Sequence, residues 1–314
     1  MLGLIRSKGV ARFASGHAKL VLGARAASTV GGALDEAVDR LPHKEAVRFV
    51  KQDLRWSYQE LNKFVNDLAN GLQDLHFQKG DVLAVWLPNN AENLVTQFAA
   101  AKAGLTVALI DPKISTAAEI EHILKDSKAS GIVFEPKISG RNQTKVIQQL
   151  MPELATHENN QEVFRPKNFR NLHTVISTGD DWTDGTIPYQ SIFLNSPEPH
   201  VMERVKKTLS EKTPLAFTYS KVEGQNPKKS DVLTHGDFLK RAAELAKTLQ
   251  LKNTDKVCFT EYEHGLSFAP LAAVEKNSLL VVPSEEPCEE SLKKALSVEP
   301  CNIVGHGVSA FKRV

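Results

Sequence analysis

The hydrophobic positions of this chain form continuous runs in some segments and recur every three to four residues in others. Continuous apolar runs lie at Val82–Leu87, Thr106–Ile110 and Gly131–Phe134, and unbroken runs of this kind are typical of parallel strands buried on both faces. A helical spacing of three and four residues precedes them, at Leu61, Phe64, Leu68, Leu72 and Leu75. We predict that the three runs are neighbouring strands, in an α/β fold of layered, mainly parallel sheets with flanking helices.

Local signals set the limits of these elements. Ser57 with Glu60 and Thr116 with Glu119 have the spacing of helix capping boxes, and Gly104 is placed to end a helix over about 91–103. The pattern weakens between residues 135 and 207 and returns after Pro214. The later predictions are strands at Leu215–Tyr219, Val257–Thr260, Leu279–Pro283 and Asn302–Val304, and helices at Gly236–Leu249 and Glu289–Ser297.

Composition and charge exclude several classes of protein. The 39 basic and 37 acidic residues give a formal net charge of +2, which argues against a nucleic-acid-binding protein. No run of about 18 apolar residues occurs, so we expect no transmembrane segment. The three cysteines form no C-x-x-C pair and the ten histidines show no zinc-binding spacing, so we expect neither a disulfide framework nor a metal site.

The first 28 residues differ from the rest in charge. They contain five basic residues, and the first acidic residue of the chain is Asp35. An acid-free, basic and amphipathic segment with Ala and Ser is typical of a mitochondrial presequence, although a basic disordered tail is the alternative. We therefore divide the chain into a presequence (1–28), a first α/β subdomain (29–200) and a second, incomplete one (201–314), and we expect a mitochondrial location.

A series of short motifs resembles a known family. In chain order they are Trp-Ser-Tyr-Gln-Glu-Leu (56–61), Lys-Gly-Asp-Val (79–82), Trp-Leu-Pro-Asn-Asn (86–90), Ala-Ala-Ala-Lys-Ala-Gly (99–104) and Asp-Pro (111–112). In this order and spacing they resemble the N-terminal part of the AMP-forming acyl-CoA synthetases and related adenylating ligases. The resemblance is patchy over 136–201 and resumes at Pro214. It implies the fold of the truncated large N-terminal domain of those enzymes.

The family's phosphate loop, rich in Gly, Ser and Thr, corresponds to residues 217–235. Gly lets the backbone wrap phosphates closely, and Lys neutralises their charge. Here one glycine remains, and Val222 and Glu223 replace small or hydroxyl residues. The remnant cofactor-binding residues that the resemblance implies are Thr218, Ser220, Gly224 and Lys228. A solvated polar turn is the alternative, so we expect no cofactor unless this loop binds ATP, AMP or CoA.

Other features add no catalytic residue. Residues Glu261–Leu266 resemble the family's aromatic/His segment beside the acyl pocket. The chain ends at Val314, before the Tyr-Gly-x-Thr-Glu motif, the ribose-binding Asp and the lid Lys of the family. Thr178-Gly179-Asp180 spells a ribose-binding triplet, but it precedes the loop and is interpreted as a turn. The basic cluster of Arg204, Lys206, Lys207 and Lys212 is either a phosphate or CoA patch or a solvated face.

Three hypotheses of function follow. The first is a catalytically inactive acyl-CoA-synthetase-like protein, an accessory or structural subunit of a mitochondrial complex. The second is an AMP-forming acyl-CoA ligase whose C-terminal half is missing or supplied by another chain, and the third is a module that binds nucleotide, acyl group or CoA without turnover. For the first we expect the surface around Val281, Val304 and Phe311 to bind protein subunits or a second copy, because no element follows Asn302–Val304 to cover it.

The N-terminal composition generates a testable prediction. We expect residues from Met1 to about Ser28 to be removed on import into mitochondria, because their acid-free basic pattern is that of a presequence. N-terminal sequencing of the native protein measures this directly. An intact Met1 in a cytosolic pool would contradict it.

Overall fold

The computed structural model describes residues 27–157, 163–179, 183–193, 199–259, 268–286, 288–305 and 311–313. Within these ranges the helices are α1 (Val30–Arg40), α2 (Tyr58–Asp74), α3 (Ala91–Ala103), α4 (Ala117–Ser127), α5 (Gln143–Leu150), α6 (Pro199–Thr208), α7 (His235–Thr248), α8 (Phe268–Lys276) and α9 (Glu289–Val298), with short 3-10 helices at Pro152–Thr156 and Tyr189–Ile192. None of these helices is long and apolar enough to cross a membrane.

The strands of the same ranges form two large sheets and one small hairpin. They are β1 (Glu45–Phe49), β2 (Leu54–Ser57), β3 (Val82–Trp86), β4 (Thr106–Ile110), β5 (Gly131–Phe134), β6 (Lys137–Ile138), β7 (Arg141–Asn142), β8 (Thr174–Ser177), β9 (Ile187–Pro188), β10 (Pro214–Ser220), β11 (Lys228–Lys229), β12 (Leu233–Thr234), β13 (Lys256–Phe259), β14 (Leu279–Val282), β15 (Ile303–Gly305) and β16 (Phe311–Arg313). The small hairpin is β6–β7.

The first sheet has the strand order β11-β10-β4-β3-β5-β8-β9, and β12 also pairs with β10. Strands β10, β4, β3, β5, β8 and β9 run parallel. In this sheet Ala84 of β3 lies opposite Ala108 of β4 on one side and Ile132 of β5 on the other. The prediction that the three apolar runs are neighbouring buried strands is therefore confirmed.

The second sheet has the order β16-β15-β13-β14-β1-β2. Its four inner strands are parallel, while β2 and β16 pair antiparallel at the two edges. In this sheet β1 pairs with β14, which lies more than two hundred residues later in the chain. The first sheet has a similar long-range pair, β4 with β10. Each large sheet draws strands from both sides of residue 200, so the predicted subdomain boundary does not coincide with a division between the sheets.

A layer of helices lies between the two sheets. Residues of α1, α2, α3, α7 and α8 share one hydrophobic core with inward-facing residues of both sheets, such as Leu83 and Val107 from the first and Val47 and Val257 from the second. Helices α4 and α5 cover the far face of the first sheet, and α9 covers the far face of the second. The layers thus alternate helix, sheet, helix, sheet, helix, and the α/β prediction is confirmed.

Local signals placed many boundaries correctly. Both predicted capping boxes form: the Glu60 amide donates to the Ser57 hydroxyl (3.2 Å), and the Glu119 carboxylate accepts from the Thr116 amide (3.0 Å). Gly104 ends α3 with φ of 75°, the left-handed conformation that glycine tolerates best. Helices α1, α5, α6 and α8 and strand β16 were not predicted.

The structure removes Val281 and Val304 from the predicted interface around Val281, Val304 and Phe311, and it leaves the side chain of Phe311 undescribed. Strand β16 pairs antiparallel with β15, so an element does follow the strand at 303–305 and covers its edge. Val281 is fully buried and Val304 is 5% exposed, in the cluster beneath α9. These valines therefore offer no surface to a partner, and association with other subunits stays a prediction without an assigned face.

Tyr58 links the central helices to the second sheet. Its side chain is fully buried, and its hydroxyl lies 2.7 Å from the Ser278 carbonyl oxygen and 3.0 Å from that of Ala273. Burial raises the pKa of Tyr58, so the group stays a neutral hydrogen-bond donor. The hydroxyl joins the start of α2 to the turn between α8 and β14.

We expect Tyr58→Phe to lower the free energy of unfolding by about 1–3 kcal/mol, because the Ser278 carbonyl loses this buried donor, whereas the Ala273 carbonyl keeps the Ser278 amide. Urea denaturation of both proteins measures the change. Ser191→Ala, which removes an exposed hydroxyl, is the control and should change stability little. A Tyr58→Phe protein as stable as the parent would contradict the inferred role of this hydrogen bond.

Candidate functional site

The four remnant site residues lie on one β-hairpin at the edge of the first sheet. Strand β10 runs parallel to β4, and β11 folds back antiparallel on it, so that Ser220 lies opposite Lys228. The base of the hairpin is fixed by two hydrogen bonds. The Thr218 amide donates to the Ser230 hydroxyl (3.0 Å), and the Ser230 amide donates to the Thr218 carbonyl (2.9 Å). Thr218, Ser220, Gly224 and Lys228 thus belong to a single structural unit.

The turn of this hairpin is open to solvent. The Gln225 amide donates to the Val222 carbonyl (3.3 Å), and Gly224 has φ of 68°, which favours glycine. No atom lies within 4 Å of the position that a Cβ at Gly224 would occupy. Glu223, the residue before it, is exposed. An incoming anion would therefore meet the Glu223 carboxylate at the tip of the turn.

Two of the three lysines of the hairpin contact other parts of the chain. Lys221 donates from Nζ to the Lys113 carbonyl (3.0 Å). Lys229 forms an ion pair with Asp126 (3.2 Å) and lies 4.5 Å from the centre of the Phe217 ring. Within the part of the chain that the structure describes, the Lys228 side chain is exposed and has no hydrogen-bond or ion-pair partner. Lys228 is thus the hairpin lysine whose ammonium group makes no other contact there.

Asp126 and Tyr219 fix the hairpin to α4. The Tyr219 hydroxyl donates to the Asp126 carboxylate, at the end of α4. Burial, together with this hydrogen bond, raises the pKa of Tyr219, whereas the same bond holds the pKa of Asp126 below its usual value. Asp126 therefore stays charged and binds both Tyr219 and Lys229. No local sequence pattern identifies Asp126 as part of this site.

Asp111 supports the other side of the hairpin. It follows β4 directly, and its amide donates to the Tyr219 carbonyl (3.0 Å). Its carboxylate accepts from the amides of Lys113 (2.9 Å) and Lys221 (3.5 Å). The Asp-Pro pair was noted in the sequence only as part of the family series. In the structure it orients the first residue of the turn.

His235, after the hairpin, connects this region to α1. Thr234 caps α7 in a capping box with Asp237. The buried His235 accepts at Nδ1 from the Val30 amide (3.1 Å), and its Nε2 is buried with no hydrogen-bond partner among the described residues. Because Nδ1 accepts, we assign the proton of the neutral ring to Nε2. Burial lowers the pKa of His235 to about 4, since the charged ring would lose its hydration.

A separate cavity of about 230 Å³ lies between α1, α2, α3 and α6, and none of the four hairpin residues lines it. Lys102 donates there to Asp35 (2.5 Å), Asn62 (2.7 Å) and Asn66 (2.8 Å), and Lys206 donates to Asp35 (2.9 Å). Burial lowers the pKa of Lys102, against the effect of Asp35. Asp35 thus pairs with both lysines of this cavity, which Glu203 also lines, and Lys206 of the basic cluster belongs to this network.

Several sequence features are not part of the hairpin. Residues Glu261–Leu266 and Asp180 lie outside the described residues. Thr178 follows β8, and its hydroxyl donates to Glu135 (2.5 Å). In the described ranges no three His, Cys, Asp or Glu side chains cluster in a way that could hold a metal ion.

Comparisons with known proteins match most of the length of the chain. The family model described as AMP-binding enzyme matches residues 34–303. The putative acyl-CoA synthetase YngI of Bacillus subtilis is 25% identical over 286 residues, which are 90% of this chain and 51% of that protein. The mitochondrial medium-chain acyl-CoA ligase ACSF2 of Rattus norvegicus is 26% identical over 71% of this chain and 38% of its own length. The chain therefore spans about half or less of these relatives.

Solved structures share the fold. The apo structure of MbtA from Mycobacterium smegmatis has a TM-score of 0.72 at 21% identity, over 88% of this chain and 47% of that one. The N-terminal domain of FACL13 from Mycobacterium tuberculosis has a TM-score of 0.65 at 17% identity, over 89% of this chain and 63% of that one. At these identities the likeness establishes the fold alone.

The environment of His235 generates a prediction about pH. The pKa of His235 in the folded protein is about 4, below the ordinary value of about 6.5. As the pH falls, the unfolded chain therefore binds a proton at this histidine before the folded protein does. The contribution of His235 to stability is therefore present above pH 6.5 and is lost as the pH falls towards 4, by up to about 3 kcal/mol.

Urea denaturation at pH 7, 5.5 and 4.5 measures this loss. In His235→Gln we expect lower stability at pH 7, because Val30 loses its acceptor, and a weaker decline of stability between pH 6.5 and 4. His43→Gln, at an exposed histidine, is the control and should keep the parent's pH dependence. An unchanged decline in His235→Gln would show that other groups cause it.

Proposed function

The chain belongs to the AMP-binding enzyme family, and from this premise we propose that it is a catalytically inactive, acyl-CoA-synthetase-like protein of mitochondria. Its proposed role is that of an accessory or structural subunit in a larger complex. The observation that carries the proposal is that two of the three lysines of the hairpin, Lys221 and Lys229, contact other parts of the same chain. The acyl class follows from the names of the relatives, an acyl-CoA synthetase and acyl-CoA ligases.

The charges of the hairpin disfavour a bound polyphosphate. Lys229 is ion-paired with Asp126, and Lys221 is oriented by a hydrogen bond to the Lys113 carbonyl, so Lys228 is the one hairpin lysine whose side chain has no partner among the described residues. Glu223 adds a like charge at the tip of the turn. Two like charges about 4 Å apart repel by about 1 kcal/mol in water, and by about 4 kcal/mol near a protein surface. Only one glycine amide replaces the several that the family's loop supplies.

The mitochondrial part of the proposal rests on two observations. Residues 1–28 have the composition of a presequence, and the rat relative is a mitochondrial ligase by name. A scaffold of this family without effective phosphate binding would act through contacts with other proteins. The native mass of the protein in a mitochondrial extract tests this part, since a monomeric mass would contradict a subunit role.

One observation favours a second function, that of an AMP-forming acyl-CoA ligase. The hairpin keeps the form of a phosphate-binding loop, with two antiparallel strands, Gly224 in the left-handed conformation and Lys228 unpaired among the described residues. In this function Lys228 would contact the phosphates, and Thr218 and Ser220 would donate hydroxyl hydrogen bonds. Nucleotide binding separates the two functions.

We expect the parent protein to show no saturable binding of Mg-ATP below about 1 mM by calorimetry, which corresponds to about −4 kcal/mol. Glu223→Gln should strengthen whatever binding is seen by about fivefold, because removing one like charge near the phosphates relieves about 1 kcal/mol. The control is Glu244→Gln on α7, an exposed glutamate away from the hairpin, which should leave binding unchanged.

Release of pyrophosphate that depends on an added medium-chain fatty acid would contradict the inactive assignment and favour the ligase function. Micromolar binding of Mg-ATP by the parent protein that Lys228→Ala abolishes would contradict the loss of phosphate binding. Such binding without pyrophosphate release would favour a module that binds nucleotide without turnover.

A further inference from the structure

The cavity between α1, α2, α3 and α6 lies away from the hairpin. Lys102, which lines it, is near the end of α3, and β4 begins three residues after that helix. The cavity is therefore on the side where the parallel strands of the first sheet begin, whereas the hairpin extends from the opposite, carboxyl edge. Its volume is about 230 Å³, and since a cavity of about 150 Å³ can hold benzene, a somewhat larger molecule would fit.

The lining combines apolar and polar side chains, as the sites of small molecules do. Met202 and Leu209 supply apolar surface, and Asn70, Glu203 and Lys206 supply polar groups. Asn70 is 4% exposed, while Glu203 and Lys206 are exposed residues of α6. A molecule in this cavity would thus meet a buried polar group inside and two charges of opposite sign at the mouth.

The ammonium group of Lys102 is already satisfied by the protein. Its three protons are donated to Asp35, Asn62 and Asn66. Burial raises the pKa of Asp35, but its hydrogen bonds and ion pairs with Lys102 and Lys206 outweigh this effect and hold that pKa below its usual value. Asp35 therefore stays charged and offsets one of the two lysines. Lys102 shapes the cavity and offers no free proton to a ligand.

Asn70 brings an unpartnered polar atom to the lining. Its Nδ2 donates to the Asn66 carbonyl (2.9 Å), which fixes the orientation of the amide. Its Oδ1 has no hydrogen-bond partner among the described residues. Because a buried carbonyl oxygen without a donor costs free energy, a molecule in the cavity has to supply that donor.

The two charged residues at the mouth select the kind of molecule. Glu203 forms no hydrogen bond or ion pair in the part of the chain that the structure describes. Lys206 donates one of its three protons to Asp35 (2.9 Å), so two remain. With Asp35 and Lys102 included, the formal charge of the lining is zero. An ion of a single sign would leave one charge unbalanced, whereas a zwitterion meets an opposite charge at each end.

We propose that this cavity binds a small zwitterion with an aliphatic body, the chemical class of the free aliphatic α-amino acids. The ammonium group of the ligand donates to Glu203 and Asn70, and its carboxylate accepts from Lys206. Its aliphatic part contacts Met202 and Leu209. The proposal does not depend on the inactive assignment, because none of the four hairpin residues lines the cavity.

The test uses L-leucine as the probe and calorimetry on the full chain. We expect saturable binding with a Kd below about 1 mM. Two matched probes each lack one charge of leucine: isocaproate has no amino group, and isopentylamine has no carboxylate. Each should bind at least about tenfold more weakly, because it leaves Glu203 or Lys206 without its partner.

Variants at the mouth assign the two ends of the ligand. Glu203→Gln should weaken the binding of leucine about fivefold or more and reduce its preference over isocaproate. Lys206→Met should reduce the preference for leucine over isopentylamine instead. Both residues are exposed, so we expect both variants to fold. Glu244→Gln, at an exposed glutamate of α7, and Lys228→Ala on the hairpin are the controls and should bind leucine as the parent does.

The absence of saturable leucine binding below about 1 mM would overturn the proposal and leave a cavity that holds water only. Equal binding of the three probes would also overturn it, as would leucine binding that neither Glu203→Gln nor Lys206→Met weakens. Binding of Mg-ATP at the hairpin is measured separately, and neither of its outcomes changes this reading.

Discussion

The helices between the two sheets must bury apolar surface on both sides at once. Helix α3 meets this constraint most fully, since eleven of its thirteen residues are buried. A helix in such a layer cannot send its polar side chains to water, so each needs a partner inside. The Asn93 side-chain amide donates to the Pro88 carbonyl (2.9 Å), and the Thr96 hydroxyl lies 3.1 Å from that of Tyr189. The first bond fixes α3 against the chain that leaves β3, and the second joins α3 to the 3-10 helix at Tyr189–Ile192.

This fixed layer determines where chemistry can occur. Strands β3 and β4 connect through α3, so the carboxyl end of β4 and the following Asp111 have a set position. Asp111 holds the backbone of Tyr219 and Lys221, and the hairpin extends from there into solvent. The carboxyl edge of a parallel sheet is the usual location of ligand sites in open α/β folds. The hairpin is therefore positioned by the core, to which its strand β10 contributes Phe217 and Tyr219, while its turn extends into solvent.

The sequence predicted those features whose signals are local. The limits of β4 and β5 follow from unbroken apolar runs, and α3 ends at Gly104, where the left-handed conformation requires glycine. Helix α1 was not predicted because two glycines follow its cap, and one of its contacts is to His235, 205 residues away. The hairpin residues were found through motifs of a family. The partners of Lys221 and Lys229 could not be predicted in this way, because Lys113 and Asp126 are about a hundred residues away in the chain.

The division between core and hairpin bears on the inactive assignment. A substitution in the turn, such as glutamate at position 223, changes an exposed group that packs against no other element, so it costs the fold little. Substitutions in the helical layer would cost several kcal/mol, because they would leave cavities or unpaired polar groups. A protein of this fold can therefore lose phosphate binding at the hairpin and keep its two sheets intact. Fold and chemistry are separable here because the first depends on the buried layer and the second on a few exposed charges.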